Sequence, residues 1–258
     1  MHGPSMLKIS PMSRLIDRLD AIGHSLERRG DAQALLGLGS VGRETDRLDE
    51  HSDLDFFVIV DPGAKASYLE ALDWLSDVHA LVFSFQNTRD GHKALFADDI
   101  FCEFAIFEPH ELGAIPYAPG RLVWKRHDAP DSYAEPSLPL PSPQHDVAWL
   151  LGEALSNLYI GLKRHRRGES LAALRLIQGY AVDHLLELVD LRWPASHAAR
   201  DPFAVVRRVE ARHPERVADI ARWTQGYAHN DTSALAMLDF LEEHFDVPAA
   251  MADAIRAI

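Results

Sequence analysis

The chain holds one cysteine, Cys102, in 258 residues. A single thiol excludes an internal disulfide framework and any zinc site built on several thiolates. Positive charge is scarce too: 26 Lys and Arg face 39 Asp and Glu, a formal charge of −13. That balance argues against a nucleic-acid binder working through a broad basic face. It suits metal-dependent chemistry, a cationic substrate or simply a solvated surface. No apolar run approaches the roughly 18 to 20 residues of a membrane span. Residues 1–11 lack the apolar stretch of a secretory signal, and Met6 is an alternative start. Cytoplasmic residence without a membrane partner is the expectation. The 14 histidines form no H-x-x-x-H or H-E-x-x-H site. A G-x-S-x-G hydrolase elbow is missing, and no period of about 20 to 50 residues marks a solenoid.

What is present suffices for a sizeable core. Apolar residues make up 47% and charged residues 25%, near the soluble globular averages. The length leans to two domains. Pro130, Pro136, Pro139, Pro141 and Pro143 crowd one stretch that reads as an extended linker. Short β-branched and aromatic runs precede it, and helical periodicity follows. Residues 1–128 therefore read as an α/β mixed-sheet domain, 129–143 as the linker and 144–258 as an all-α helical bundle. In the first part, residues 13–29 make an amphipathic helix with Leu15, Ile16, Leu19, Ile22 and Leu26 on one stripe. Strands are expected at 34–38, 54–60, 80–85, 100–107 and 121–125, and a helix at 66–75. In the second part, helices are expected at 146–167 and 171–191. Others start at Asp201-Pro202, running to about Ala211, at Pro214, and at a cap on Asp231 or Thr232.

Gly37-Leu38-Gly39-Ser40-Val41-Gly42 satisfies G-x-G-x-x-G after a strand, with Asp61 about 20 residues on, as in a dinucleotide fingerprint. That fingerprint needs its third glycine in a helix packed on the sheet. Residues 43–52 contain one apolar residue, Leu48, and cannot supply an apolar stripe. The segment is a polar loop, and dinucleotide binding is rejected. What remains is a Gly-Ser turn, the loop, and Ser52-Asp53-Leu54-Asp55 opening a strand. Residues two apart on a strand share a face, so Asp53 and Asp55 present their carboxylates together. Such a pair repels unless a proton or cation intervenes, and Mg²⁺ favours carboxylate oxygens. The turn's N–H groups and the Ser40 hydroxyl suit a phosphate. Acids at a strand start are also ordinary turn residues.

Glu103 stands in Ile100-Phe101-Cys102-Glu103-Phe104-Ala105-Ile106-Phe107, apolar on both sides. A carboxylate buried there needs a partner. The structural partner is an Arg or a hydroxyl; the functional one is a metal shared with Asp53 and Asp55. Beside the Gly-Ser turn and the aspartate pair, the functional reading is preferred.

Gly39-Ser40, the loop, Ser52-Asp53-Leu54-Asp55 and the third acid at Glu103 resemble the polymerase-β-like nucleotidyltransferase superfamily. Trp74-Leu75-Ser76-Asp77-Val78, the Glu103 strand, residues 121–128, and Asn157-Leu158-Tyr159 ahead of Arg167-Gly168-Glu169 look like its lincosamide nucleotidyltransferase branch of antibiotic-modifying enzymes. The resemblance implies an N-terminal nucleotidyltransferase domain followed by an acceptor-side helical domain. It implies adenylyltransferase-like transfer of a nucleoside monophosphate from a nucleoside triphosphate to a small-molecule hydroxyl, with release of pyrophosphate. A lincosamide or aminoglycoside-like antibiotic is the implied acceptor. Asp53, Asp55 and Glu103 would hold two Mg²⁺ ions that stabilise the attacking and leaving oxygens, or Glu103 would draw the acceptor's proton. Gly39, Ser40 and Arg43 would contact the triphosphate. A homodimer is implied as well. The alternatives are a nucleotidyltransferase acting on a protein, or a non-catalytic nucleotide-binding or interaction protein of the same fold. The presence of all three acids counts against the last.

Lys163, Arg164, Arg166 and Arg167 end a helix before Gly168, where the helix dipole alone favours cations. Lys163, Arg166 and Arg167 also share a face, and Lys163 is the candidate triphosphate contact among them. Glu153 and Asn157 read as a solvated helix face. Trp149, Trp193, Trp223 and Tyr227 read as core.

Overall fold

Residues 11–196 and 198–258 are described by the computed structural model; the reading of residues 1–10, Met6 included, lies outside them. The apolar stripe folds as expected into α1 (Pro11–Arg29), with Leu15, Leu19, Ile22 and Leu26 buried against the sheet. The strands are β1 (Ala32–Gly37), β2 (Leu54–Val60), β3 (Leu81–Gln86), β4 (Gly91–Phe96), β5 (Phe101–Phe107) and β6 (Arg121–Lys125). They form one six-stranded sheet in the order β3-β4-β5-β2-β1-β6. β2 and β5 run parallel, and every other pair is antiparallel, so the sheet is mixed as read from the sequence. The expected helix at 66–75 is broken into α2 (Lys65–Glu70) and α3 (Asp73–Ser76).

Alternation sets the two faces of the sheet. Leu54, Phe56 and Val58 of β2 and Cys102, Phe104 and Ile106 of β5 lie in the α1-side core. The opposite face holds a smaller core of Ala34, Ile59, Phe107 and Leu112, with Phe57, Ala105, Leu122 and Tyr133 packed on it. Nearer the start of β2 and β5, that second face turns from apolar to charged. This switch positions the candidate site.

The chain divides after Leu140 into two units. The early part of the proline-rich segment, expected to be linker, is fastened to the sheet. The Tyr133 hydroxyl donates to Gln33 Oε1 at 2.6 Å, the Tyr117 hydroxyl to the Glu135 carbonyl at 2.8 Å, and Gly120 N–H to the Ala134 carbonyl at 2.8 Å. A buried aromatic and three hydrogen bonds override the extended tendency of the prolines.

The second unit is helical. Asp146 accepts from Trp149 N–H at 3.1 Å and caps α4 (Val147–Arg166), whose Leu150, Ala154, Leu155, Leu158 and Leu162 enter the core. α5 (Ser170–Arg175) continues through a π-helical stretch, Leu176–Ala181, into α6 (Val182–Arg192). The helix expected from Asp201 to Ala211 is replaced by turns and by the short α7 (Val209–Arg212). Asp201 does accept from Phe203 and Ala204 N–H, at 2.9 and 3.2 Å. Its other oxygen binds Arg207 and Arg208, and Arg208 sits at φ 63°, which ends any helix before it. α8 (Val217–Trp223) follows a turn begun at Pro214; α9 (Asn230–His244) and α10 (Ala249–Arg256) complete the unit. Asp231 lies inside α9 and pairs with Arg166 instead of capping. Among the described residues no helix is long and apolar enough to cross a membrane.

Candidate functional site

The glycine turn is built around β2. Leu38 N–H donates to the Asp55 carbonyl at 2.8 Å, which ties the turn to the strand that carries the acids. Gly39 has φ +53°, and a Cβ there would stand 3.7 Å from Asp55 Oδ2. A Cβ on Gly37 would meet the Val41 carbonyl at 2.7 Å, so this glycine serves close backbone approach. Short 3₁₀ turns at Gly39–Val41 and Thr45–Arg47 follow, with Val41 and Leu48 as buried anchors. No long helix opens here, in keeping with rejection of a dinucleotide fold. Arg121 donates to the Val41 carbonyl at 3.0 Å and holds the turn from β6.

Asp55 is the register partner of Glu103 across β2 and β5. The two acids therefore share a face, and the row continues through Lys93 on β4 to Phe85 on β3. Asp53 precedes β2 by one residue, half-buried, as is Asp55. The charge of both aspartates reaches Cys102: burial, with smaller contributions from Asp53 and Asp55, pushes its thiol up to about 12.

Glu103 departs from the expectation of burial among apolar neighbours; its side chain is 44% exposed. The apolar neighbours at alternate positions face α1, while Glu103 points to the less covered face. Its partners are Lys93 Nζ at 3.0 Å and Asn87 Nδ2 at 3.1 Å. Neither was picked out from the sequence. Lys93 lies on a strand that was not anticipated, and only strand pairing puts it opposite Glu103.

Asp55 and Glu103 thus share a face of the sheet. Among the described residues, no group of three or more His, Cys, Asp or Glu is arranged to hold a metal ion. The oxygens of Asp53 and Asp55 suit a hard cation. Those of Glu103 accept from an ammonium and an amide.

Arg43, expected at a triphosphate, is committed elsewhere. Its Nε donates to the Gly120 carbonyl at 2.8 Å and its guanidinium pairs with Glu135, stapling the loop to the residue before β6 and to the segment after it. On α4 of the helical unit, Arg164 pairs with Glu169 and Arg166 with Asp231, each at 2.7 Å. These are structural ties at a helix end. Lys163 stands over the Tyr159 ring at 5.3 Å. Asn157 Nδ2 donates back to the Glu153 carbonyl at 2.8 Å. Trp223 is buried and Trp193 packs on the core, as expected, whereas Trp149 and Tyr227 are exposed.

No protein-family model matches the chain, and no curated protein matches it in sequence. Several solved structures are similar to it. One is an aminoglycoside 6-adenyltransferase from Bacillus subtilis, at 11% identity over 96% of this chain and 91% of that one, with a TM-score of 0.31. Another is a nucleotidyltransferase-like protein from Exiguobacterium sibiricum, at 11% identity over 88% and 74%, with a TM-score of 0.32. Likeness this distant fixes neither family nor activity, so the functional reading rests on the site residues.

Proposed function

We propose that the chain is a nucleotidyltransferase, moving a nucleoside monophosphate from a nucleoside triphosphate to a hydroxyl with release of pyrophosphate. The observation that carries this reading is the register of β2 and β5: Asp55 stands opposite Glu103, and the Gly39-Ser40 turn packs against Asp55. Cation-holding acids beside a phosphate-seating turn are the parts that phosphoryl transfer requires. Asp53 and Asp55 would hold Mg²⁺, which supplies the charge that neutralises the reacting phosphate. Gly39 and Ser40 would seat triphosphate oxygens through backbone N–H groups and the hydroxyl. Glu103, oriented by Lys93 and Asn87 and half exposed, would take the proton of the attacking hydroxyl. A small antibiotic-like acceptor of lincosamide or aminoglycoside type, seated by the helical unit, and a homodimeric assembly complete the proposal.

A second reading has its own support. The Lys93–Glu103 pair and the lack of an acid triad among the described residues fit a nucleotide-binding protein that does not transfer. One experiment separates the two. The full chain is mixed with each nucleoside triphosphate and Mg²⁺, with and without lincomycin or kanamycin, while melting temperature and pyrophosphate release are followed. Transfer predicts both a raised melting temperature and acceptor-dependent pyrophosphate. Asp53→Asn and Asp55→Asn keep shape but lose charge, so release should fall about 100-fold or more with the fold intact. A nucleotide-induced shift without pyrophosphate favours the second reading, and no shift at all removes both.

A further inference from the structure

A cavity of about 460 Å³ opens within the helical unit, lined in part by Trp149, Asp183, His184, Glu187, Arg200 and Phe203. That volume is typical of a small-molecule site. Its charges do not balance. Glu187 is paired with Arg200, which also reaches Asp190 at 3.3 Å, and Asp190 pairs in turn with Arg212 at 3.2 Å. Asp183 is left over: among the described residues it has no hydrogen bond or ion pair, and only His184 acts on it as a neighbouring charge. Burial raises its carboxyl above the usual carboxylate range. An acid half withdrawn from water and given no internal partner is costly to retain.

The walls supply the rest of a recognition site. Trp149 is 46% exposed and meets the His184 ring edge-on at 5.4 Å, so its orientation is fixed although its face is open. Phe203, 52% exposed, is held by its backbone N–H on Asp201 at 2.9 Å. Open aromatic faces beside one unbalanced carboxylate match an ammonium group carried on an apolar body. Asp183 stands two residues after the end of the π-helical stretch Leu176–Ala181. Such stretches recur where a helix re-aims side chains at a functional site.

We propose that this cavity binds a monocationic organic amine, its ammonium on Asp183 and its apolar body against Trp149 and Phe203. The inference goes beyond nucleotidyl transfer and stands on the helical unit's own residues. A divalent cation fits less well, because a single carboxylate is unclaimed and the remaining wall is aromatic.

The test uses the full chain and two probes of matched shape: 2-phenylethylamine, protonated near neutral pH, and the neutral 2-phenylethanol. Ligand-detected NMR titration should show the amine binding at least about tenfold more tightly, as expected for a charge-assisted hydrogen bond. In Asp183→Asn the preference should collapse to about threefold or less, with a melting temperature at or above that of the parent. Should that variant fold poorly, Trp149→Ala at the exposed rim decides instead: weakened amine binding supports the site, and unchanged binding overturns it. Equal affinity for both probes, a preference that survives in Asp183→Asn, or displacement of the amine by Mg²⁺ alone would each overturn the proposal. None of these readouts depends on nucleotide transfer, so its failure leaves the transferase reading untouched.

Discussion

At the scale of single residues, chemistry here is governed by what covers each side chain. Glu103 and His92 show the two outcomes on neighbouring strands. Glu103 points to the open face and finds Lys93, whereas His92 points under α2 and α3 and is 7% exposed, stacked on Phe104 at 5.8 Å. Burial holds the His92 imidazole below its ordinary range. The unfolded chain therefore takes up this proton first as pH falls through about 6.5. Stability should fall across that window, by at most about 1.4 kcal/mol per pH unit from this one group. The loss is absent above it and levels off below the folded-state value. Urea denaturation between about pH 7.5 and 5.5 should show the slope, and His92→Leu should flatten it. Asp61, Asp90 and Asp98, all depressed, contribute only at lower pH. An unchanged slope in His92→Leu would assign the effect to other groups.

Among the elements, β3 is the exception to the good coverage of the sheet. It is an edge strand, and Val82, Phe83 and Phe85 are 62%, 51% and 47% exposed. Leu81–Gln86 also lacks a charged residue. Natural edges are usually blunted by charge, bulges or proline. The expected consequence is concentration-dependent association through this strand. Phe83→Lys places a charge on an exposed edge position, so it should delay light scattering on warming while changing unfolding free energy by no more than about 0.5 kcal/mol. Scattering that begins at the same protein concentration in both forms would clear β3 of this role.

On the scale of the whole molecule, the two units carry separate cores. The helical unit has its own apolar cluster from Leu150 to Ile255 and its own buried ionic group. Within that group Arg212 and His213 are fully buried, and both bind Asp190 Oδ1, at 3.2 and 2.7 Å. Residues 141–258 expressed alone should therefore melt cooperatively by circular dichroism. Asp190→Ala would leave a buried guanidinium unpaired and should cost about 3 to 5 kcal/mol. A broad, non-cooperative melt of residues 141–258 would mean that the second core needs the first.

Local chemistry determined much of this protein within the chain itself. The α1 stripe, the aspartates at the head of β2 and the Asp146 cap all depend on neighbours a few residues away. Periodicity and backbone freedom reveal them without any partner. Tertiary structure alone decided the rest. Lys93 meets Glu103 only because β4 pairs with β5, and Asp55 meets Glu103 only because β2 lies parallel beside that same strand. Trp149 looks like core by composition, yet it stands open at a cavity rim. Strand register and side-chain coverage are set by segments distant in sequence, whose free energy appears only once the chain has closed on itself.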